Sequence, residues 1–299
     1  MKMIPANVEE QYRRFPDMDK QDVLKLKQWV QQQPHMPNFN ELEVILFFHA
    51  CHYSMELTKR TIETNLSIRT HCPEFFQNLD IERSELKRAM NTVAILPLPK
   101  STPEGYRVII GRLADTDTSK FNFADIMKFY CMIFDLWITE GGIEQGHILV
   151  MDLKGVTLGH VARLGLLTMK KFLVYLQEAA AIRLVGFHFI NIVPFIDKVL
   201  ALMNPFMKKE LQAMIQLHSN METFYKYVPK DVLPSDYGGL DVDSNEIKNA
   251  VYKKQITNRE FMMDLEKRHQ INEKLRPGKP KDASDLFGVE GNFKKLEFD

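Results

Sequence analysis

The chain has 299 residues, 45% of them hydrophobic and 26% charged, which suits one large folded unit or two smaller ones and argues against disorder throughout. Its 39 lysines and arginines balance 39 aspartates and glutamates, so a global electrostatic case for nucleic-acid binding fails. The three cysteines, Cys51, Cys72 and Cys131, have no metal-ligand spacing and make no disulfide framework, which points to a reducing compartment. The first ten residues carry acidic side chains and Pro5, unlike a signal peptide, and the most apolar run, 184–196, is shorter than the ~20 residues of a membrane span. The expectation is a soluble, cytoplasmic protein.

In chain order, residues 17–95 read as helical. Asp19 or Asp17 caps a helix carrying Val23, Leu26 and Val30 that stops before Pro34, and Asn40 caps a second carrying Leu42, Ile45, Leu46 and His49. A third runs from Leu57 to Ile68 and ends before Pro73, and a loop with Pro97, Pro99 and Pro103 follows. Residues 105–192 then alternate strand and helix patterns. The strands are 106–112, 147–152 and 186–192, and the helices 123–139 and 160–181. Such alternation predicts an α/β layer with parallel pairing. Pro194 opens a short helix to Met203, and another helix spans Lys208 to Ser219. Beyond 245 the pattern gives one charged helix, 258–275, and a mobile tail rich in lysine, glycine and proline. The boundaries are therefore 1–95 for a helical region, 96–245 for the α/β domain and 246–299 for the C-terminal helix and tail.

Enzyme signatures are lacking. There is no nucleophile elbow, Walker A loop, dinucleotide fingerprint or zinc-protease motif. Asp241-Val-Asp243-Ser-Asn245 opens like a calcium loop, but Glu246 stands where the turn needs glycine and Tyr252 where a carboxylate must close the site. His147 and His188 lie in strand patterns without an evident catalytic partner and read as core imidazoles, and Asp152 as a turn-former. No catalytic residue, metal or cofactor is expected. What stands out is apolar surplus: 20 phenylalanines and 16 methionines, many between Phe121 and Met214. They suit an ordinary core as well as a cavity for an apolar ligand.

Four segments in order carry a resemblance: Gly146-His-Ile-Leu-Val-Met-Asp-Leu-Lys-Gly155, Gly186-Phe-His-Phe-Ile-Asn191, Asn204-Pro-Phe-Met207 and Leu233-Pro-Ser-Asp-Tyr-Gly-Gly239. Together they resemble the CRAL-TRIO lipid-binding family, in the branch with α-tocopherol transfer protein, cellular retinaldehyde-binding protein and the clavesins, over about residues 20–245. The resemblance implies an N-terminal all-helical bundle followed by an α/β domain whose mostly parallel sheet floors an apolar pocket. Residues 194–203 take the place of a lid helix that swings open at membranes. By the same resemblance Phe129 and Ile133 on the first domain helix, Met151, Leu176 and Phe187 line the pocket. Strand parity adds Leu149 and Phe189, and the lid contributes Phe195, Val199 and Leu202.

The branch also implies a basic cluster for phosphoinositide headgroups. Here Arg183 keeps its place, Glu210 and Met214 replace two others, and Lys208 and Lys209 stand one turn away. Fewer charge-assisted contacts predict weak headgroup recognition with general membrane contact retained. The expected function is a monomeric intracellular carrier, transiently membrane-associated, that transfers one small hydrophobic ligand (a retinoid, tocopherol, carotenoid or similar lipid) without covalent chemistry. A lipid-sensing adaptor and a phospholipid exchange protein are the rival readings.

Overall fold

A computed structural model describes residues 2–288. Seven elements precede the domain's parallel strands: α1 (Val8–Arg14), α2 (Lys20–Gln31), α3 (Glu41–Ala50), α4 (Met55–His71), α5 (Pro73–Phe76), α6 (Ser84–Thr92) and β1 (Val93–Pro97). Asp19 caps α2 by accepting from the Gln21 N–H, and Asn40 forms a reciprocal capping box with Glu43 at the start of α3. Helix α3 is buried almost all round from Leu42 to His49, so it lies inside the molecule. A buried ion pair fastens α4 to the helix spanning 123–141: Arg69 grips both carboxylate oxygens of Asp135, and Asn65 accepts from the same guanidinium.

The α/β part runs β2 (Tyr106–Leu113), α7 (Phe123–Gly141), β3 (Gly146–Asp152), α8 (Leu158–Val161), α9 (Leu166–Glu178), β4 (Leu184–Ile190), α10 (Ile196–Met203), α11 (Lys209–Met214), β5 (Ile215–Leu217) and α12 (Met221–Phe224). The five strands lie in chain order, β1 antiparallel to β2 and the rest parallel. Right-handed crossovers between neighbouring parallel strands bring their helices to one face of a sheet. On that face Ile109, Leu149, Phe187 and Phe189 join α7 and α9 in one large core that continues into the N-terminal helices. Residues of the other parity, Val108, Ile110, Ile148, Val150 and Ile190, form a second core with Phe224, Val228, Leu233 and Tyr237.

Several expectations are corrected. Residues 93–95, read as the end of the helical stretch, belong to a strand, 93–97, paired with β2. The 160–181 helix is two pieces, broken at Gly165, whose φ of +66° is easy only for glycine. The 208–219 helix stops at Met214, because Ile215 to Leu217 pair with Phe187 to Phe189 at the sheet edge. In place of one C-terminal helix there are α13 (Ser244–Thr257), capped by Asp243, and α14 (Arg259–Arg268). The segment after 268 is docked rather than mobile. Arg276 is held by Glu63 and Glu273, and α15 (Ala283–Phe287) buries Phe287. The rest of the expected tail, 289–299, lies outside the described residues. Among the described residues no helix is long and apolar enough to cross a membrane.

Candidate functional site

Between the sheet and α7, α9 and α10 lies an apolar cavity of about 160 Å3. Its floor is Ile109, Leu149, Met151, Phe187 and Phe189, which parity turns to one side of the sheet. The two phenylalanine rings lie 4.8 Å apart between centroids. Helix α7 supplies Phe123, Ile126, Met127 and Tyr130, spaced i, i+3, i+4 and i+7 along one stripe. From α9 come Met169, Phe172 and Leu173, and α10 closes the space with Val199 and Met203, one turn apart.

Five of the ten residues named for the pocket therefore line it: Leu149, Met151, Phe187, Phe189 and Val199. The other five lie elsewhere. Phe129 is on another stripe of α7, edge-on to Tyr252 of α13 at 5.4 Å, and Ile133 lines a separate cavity beside α13. Leu176 is packed in the core one turn beyond Phe172 and Leu173, while Phe195, the residue before α10, and Leu202 on that helix are half-buried outside the cavity lining. The α7 stripe escaped sequence reading for a physical reason. Fourteen of that helix's 19 residues are buried, so periodicity cannot say which apolar side meets a void.

Three donor atoms on residues lining this cavity have no partner: the Tyr130 hydroxyl, His160 Nε2 and Arg112 Nε. The Tyr130 hydroxyl is buried and unbonded, and burial raises its pKa. His160 accepts the Thr157 N–H on Nδ1 at 3.1 Å, so its neutral ring carries the proton on Nε2, which has no acceptor. Desolvation, then Arg163, lowers the His160 pKa and keeps the ring neutral. Asp152, at the cavity's edge, is committed to structure: it accepts from the Lys154 N–H, Asn191 and the Tyr237 hydroxyl. His188 faces the other side of the sheet and bonds His218 at 2.9 Å.

The basic residues are spread over different elements. Arg183 donates to the His49 carbonyl at 2.7 Å and lies over the Tyr53 ring, Lys208 pairs with Glu178 at 3.0 Å, and Lys209 is exposed. Beside the cavity, Leu158 (51% exposed) and Leu166 (58%) project into solvent from the starts of α8 and α9, flanking cavity residues Val161, Leu164 and Met169. Among the described residues no group of three or more His, Cys, Asp or Glu side chains is placed to hold a metal ion.

Comparison with known proteins decides the family. Residues 91–239, which include all five strands and the cavity, match the CRAL/TRIO domain, and residues 15–86 match a Pinta-like UBA domain. Residues 91–239 form a CRAL/TRIO domain. The chain is 25% identical over 234 residues to an alpha-tocopherol transfer protein-like protein of Mus musculus, covering 77% of this chain and 68% of that one. It is 22% identical over 228 residues to Clavesin-1 of Xenopus laevis, covering 75% and 69%. Among solved structures, Sfh5 aligns at 12% identity with a TM-score of 0.49 over 85% of this chain and 100% of that one. The match supports a lipid-binding or lipid-transfer role for residues 91–239.

Proposed function

We propose that this CRAL/TRIO domain carries one small apolar molecule bearing an oxygen function, in the cavity under α10, and exchanges it at a membrane surface. The observation that carries the reading is the cavity itself: sheet, α7, α9 and α10 surround it almost wholly with aliphatic, aromatic and methionine side chains. At ~25 cal/mol per Å2, a few hundred Å2 of ligand surface contributes several kcal/mol by burial alone. Tyr130 Oη–H and His160 Nε2–H are buried donors that cost stability until a ligand oxygen accepts from them. A retinoid or tocopherol offers such an oxygen, and a carotene hydrocarbon does not. A phospholipid fits less well, because the guanidinium beside the cavity, Arg112, has both terminal nitrogens engaged by Asp236 and Ser244 and only Nε left unpaired. The lid is α10, with Ile196, Val199 and Met203 buried and Asp197 and Lys198 exposed. Swung outward, its apolar stripe and the exposed Leu158 and Leu166 form a surface able to lie in a membrane interface. The chemistry required is binding and release, with no bond made or broken.

Native mass spectrometry with organic extraction tests this. One bound apolar molecule, lost from Phe187→Asp and Val199→Asp, supports the carrier. If neither substitution changes retention, the cavity assignment is wrong. A chain that captures nothing from retinoid, tocopherol, sterol and phospholipid panels overturns the carrier reading in favour of the adaptor.

A further inference from the structure

At the opposite end of the sheet, where β2 begins, a second cavity of about 430 Å3 lies between α7, α13 and the β1–β2 turn. Its walls include Ile133 and Leu136 of α7 and Val251 of α13. Its polar groups are unusual in being left over. Arg107 has no carboxylate partner among the described residues; it donates to the Trp137 carbonyl at 3.2 Å and lies 4.4 Å over the indole. Burial pulls its pKa down to about 10, with the more distant Glu144 and Glu140 opposing. The Trp137 Nε1–H (side chain 6% exposed) has no acceptor, and the Oε1 of Gln255 (1% exposed) has no donor. Next to them His147, across the sheet from Arg107 and edge-on to Trp137 at 5.4 Å, has neither ring nitrogen paired. Buried polar groups are ordinarily satisfied, so such a concentration around one cavity points to something that binds there.

We propose that this cavity is a second binding site, for a small carboxylate with an apolar body, its head held by Arg107 and the Trp137 indole N–H and its body clad by Ile133, Leu136 and Val251. The guanidinium fork matches a carboxylate, and the indole N–H is a donor only. The Gln255 amide, turned about its last bond, adds a donor. A phosphate fits worse. The other cation, Lys254, is engaged by Glu140, and Glu246 stands at the rim, so a second negative charge meets repulsion. Gly141 leaves the room the guanidinium occupies: a Cβ there would sit 1.7 Å from Arg107 Nη1. The site is independent of the cargo cavity, which α7 lines with a different stripe.

Trp29 and Trp137 are the chain's two tryptophans, so a full-length Trp29→Phe protein reports on Trp137 alone. Titrated with hexanoate, hexanol and inorganic phosphate, it should show a saturable change in indole emission for hexanoate, with hexanol and phosphate at least about tenfold weaker. Arg107→Gln should weaken hexanoate by about tenfold or more. Gly141→Ala, which displaces the guanidinium without removing its charge, should weaken it too, a check should Arg107→Gln not fold. Val199→Asp, aimed at the other cavity, should leave the titration unchanged whether or not the carrier reading holds. No saturable response to hexanoate in the millimolar range, equal binding of hexanol, tighter binding of phosphate, or affinity unaffected by Arg107→Gln overturns the proposal; the guanidinium then serves only to cap the end of α7.

Discussion

The two faces of the sheet are built from the same strands yet differ in finish. On one, Phe224, Val228, Leu233 and Tyr237 pack against Val108, Ile148 and Val150, and polar brackets close the edges: the Tyr237 hydroxyl on Asp152, and Arg112 on Asp236 and Ser244. On the other, Phe187, Phe189, Leu149 and Met151 face a void lined also by the unpaired Tyr130 hydroxyl and His160 Nε2. Neighbouring residues on one strand thus serve opposite ends. One parity maximises contact, and the other withholds it so that a ligand can supply it.

Replacing the same residue type on either face tests this most strongly. Phe224→Ala, on the closed face, should cost about 3–5 kcal/mol in urea unfolding of the ligand-free protein. Phe187→Ala, part of whose ring already meets empty space, should cost only about 2–3 kcal/mol. Equal losses would mean that the void has no energetic reality.

The closed face should also carry a pH dependence of its own. His218 donates from Nδ1 to Thr223, whose hydroxyl is given to the Asn220 carbonyl, so its Nε2 accepts from His188 Nδ1–H. Desolvation, then His218, lowers the His188 pKa to about 4, and desolvation lowers that of His218. A histidine whose folded pKa lies below its unfolded value near 6.5 takes up its proton more readily when unfolded. Stability is therefore full above pH 6.5 and falls as pH drops towards 4, by roughly 3 kcal/mol. His188→Asn, which keeps a donor for His218, should make that slope shallower in denaturation curves across the window, with the buried His147 and His49 supplying the remainder.

On the open face, Tyr130→Phe should leave ligand-free stability unchanged or slightly higher, since it deletes an unpaired buried hydroxyl. The same change should lower affinity for an alcohol, aldehyde or acid ligand by roughly 5–30-fold. A parallel loss for a hydrocarbon ligand would show that the ring acts by shape alone. The smallest stability effect belongs to Leu158→Gln with Leu166→Gln, within about 0.5 kcal/mol of the parent. That pair should nonetheless slow ligand transfer between vesicles.

Much of this contrast was legible in the sequence because strand parity is rigid: Leu149 with Met151, and Phe187 with Phe189, follow from alternation once the strands are found. Caps at Asp19 and Asn40 were equally readable, since one side chain reports its own helix start. The resemblance and the segment order gave the fold class and family. What escaped were features set by partners distant in sequence. β1 exists because β2 pairs with it, β5 because β4 offers an edge, and the cavity stripe of α7 because neighbours cover its other sides. The C-terminal strap was hidden by composition: lysine, glycine and proline around Arg276 look like a loose end, but Glu63 and Glu273 bind the arginine.

That strap reaches further than its place in the chain suggests. Phe287 beds between α4 and α9, beneath the Lys171 ammonium that also holds Glu74, and α9 is the wall bearing Met169, Phe172 and Leu173. Helix α13 likewise leans on β1 and α7, with the Tyr252 hydroxyl on the Val93 carbonyl. The stretch matched as a CRAL/TRIO domain ends at 239, so its container is buttressed by masonry outside its own outline. A protease or partner that prised the last fifty residues away would leave the door shut and let the walls leak.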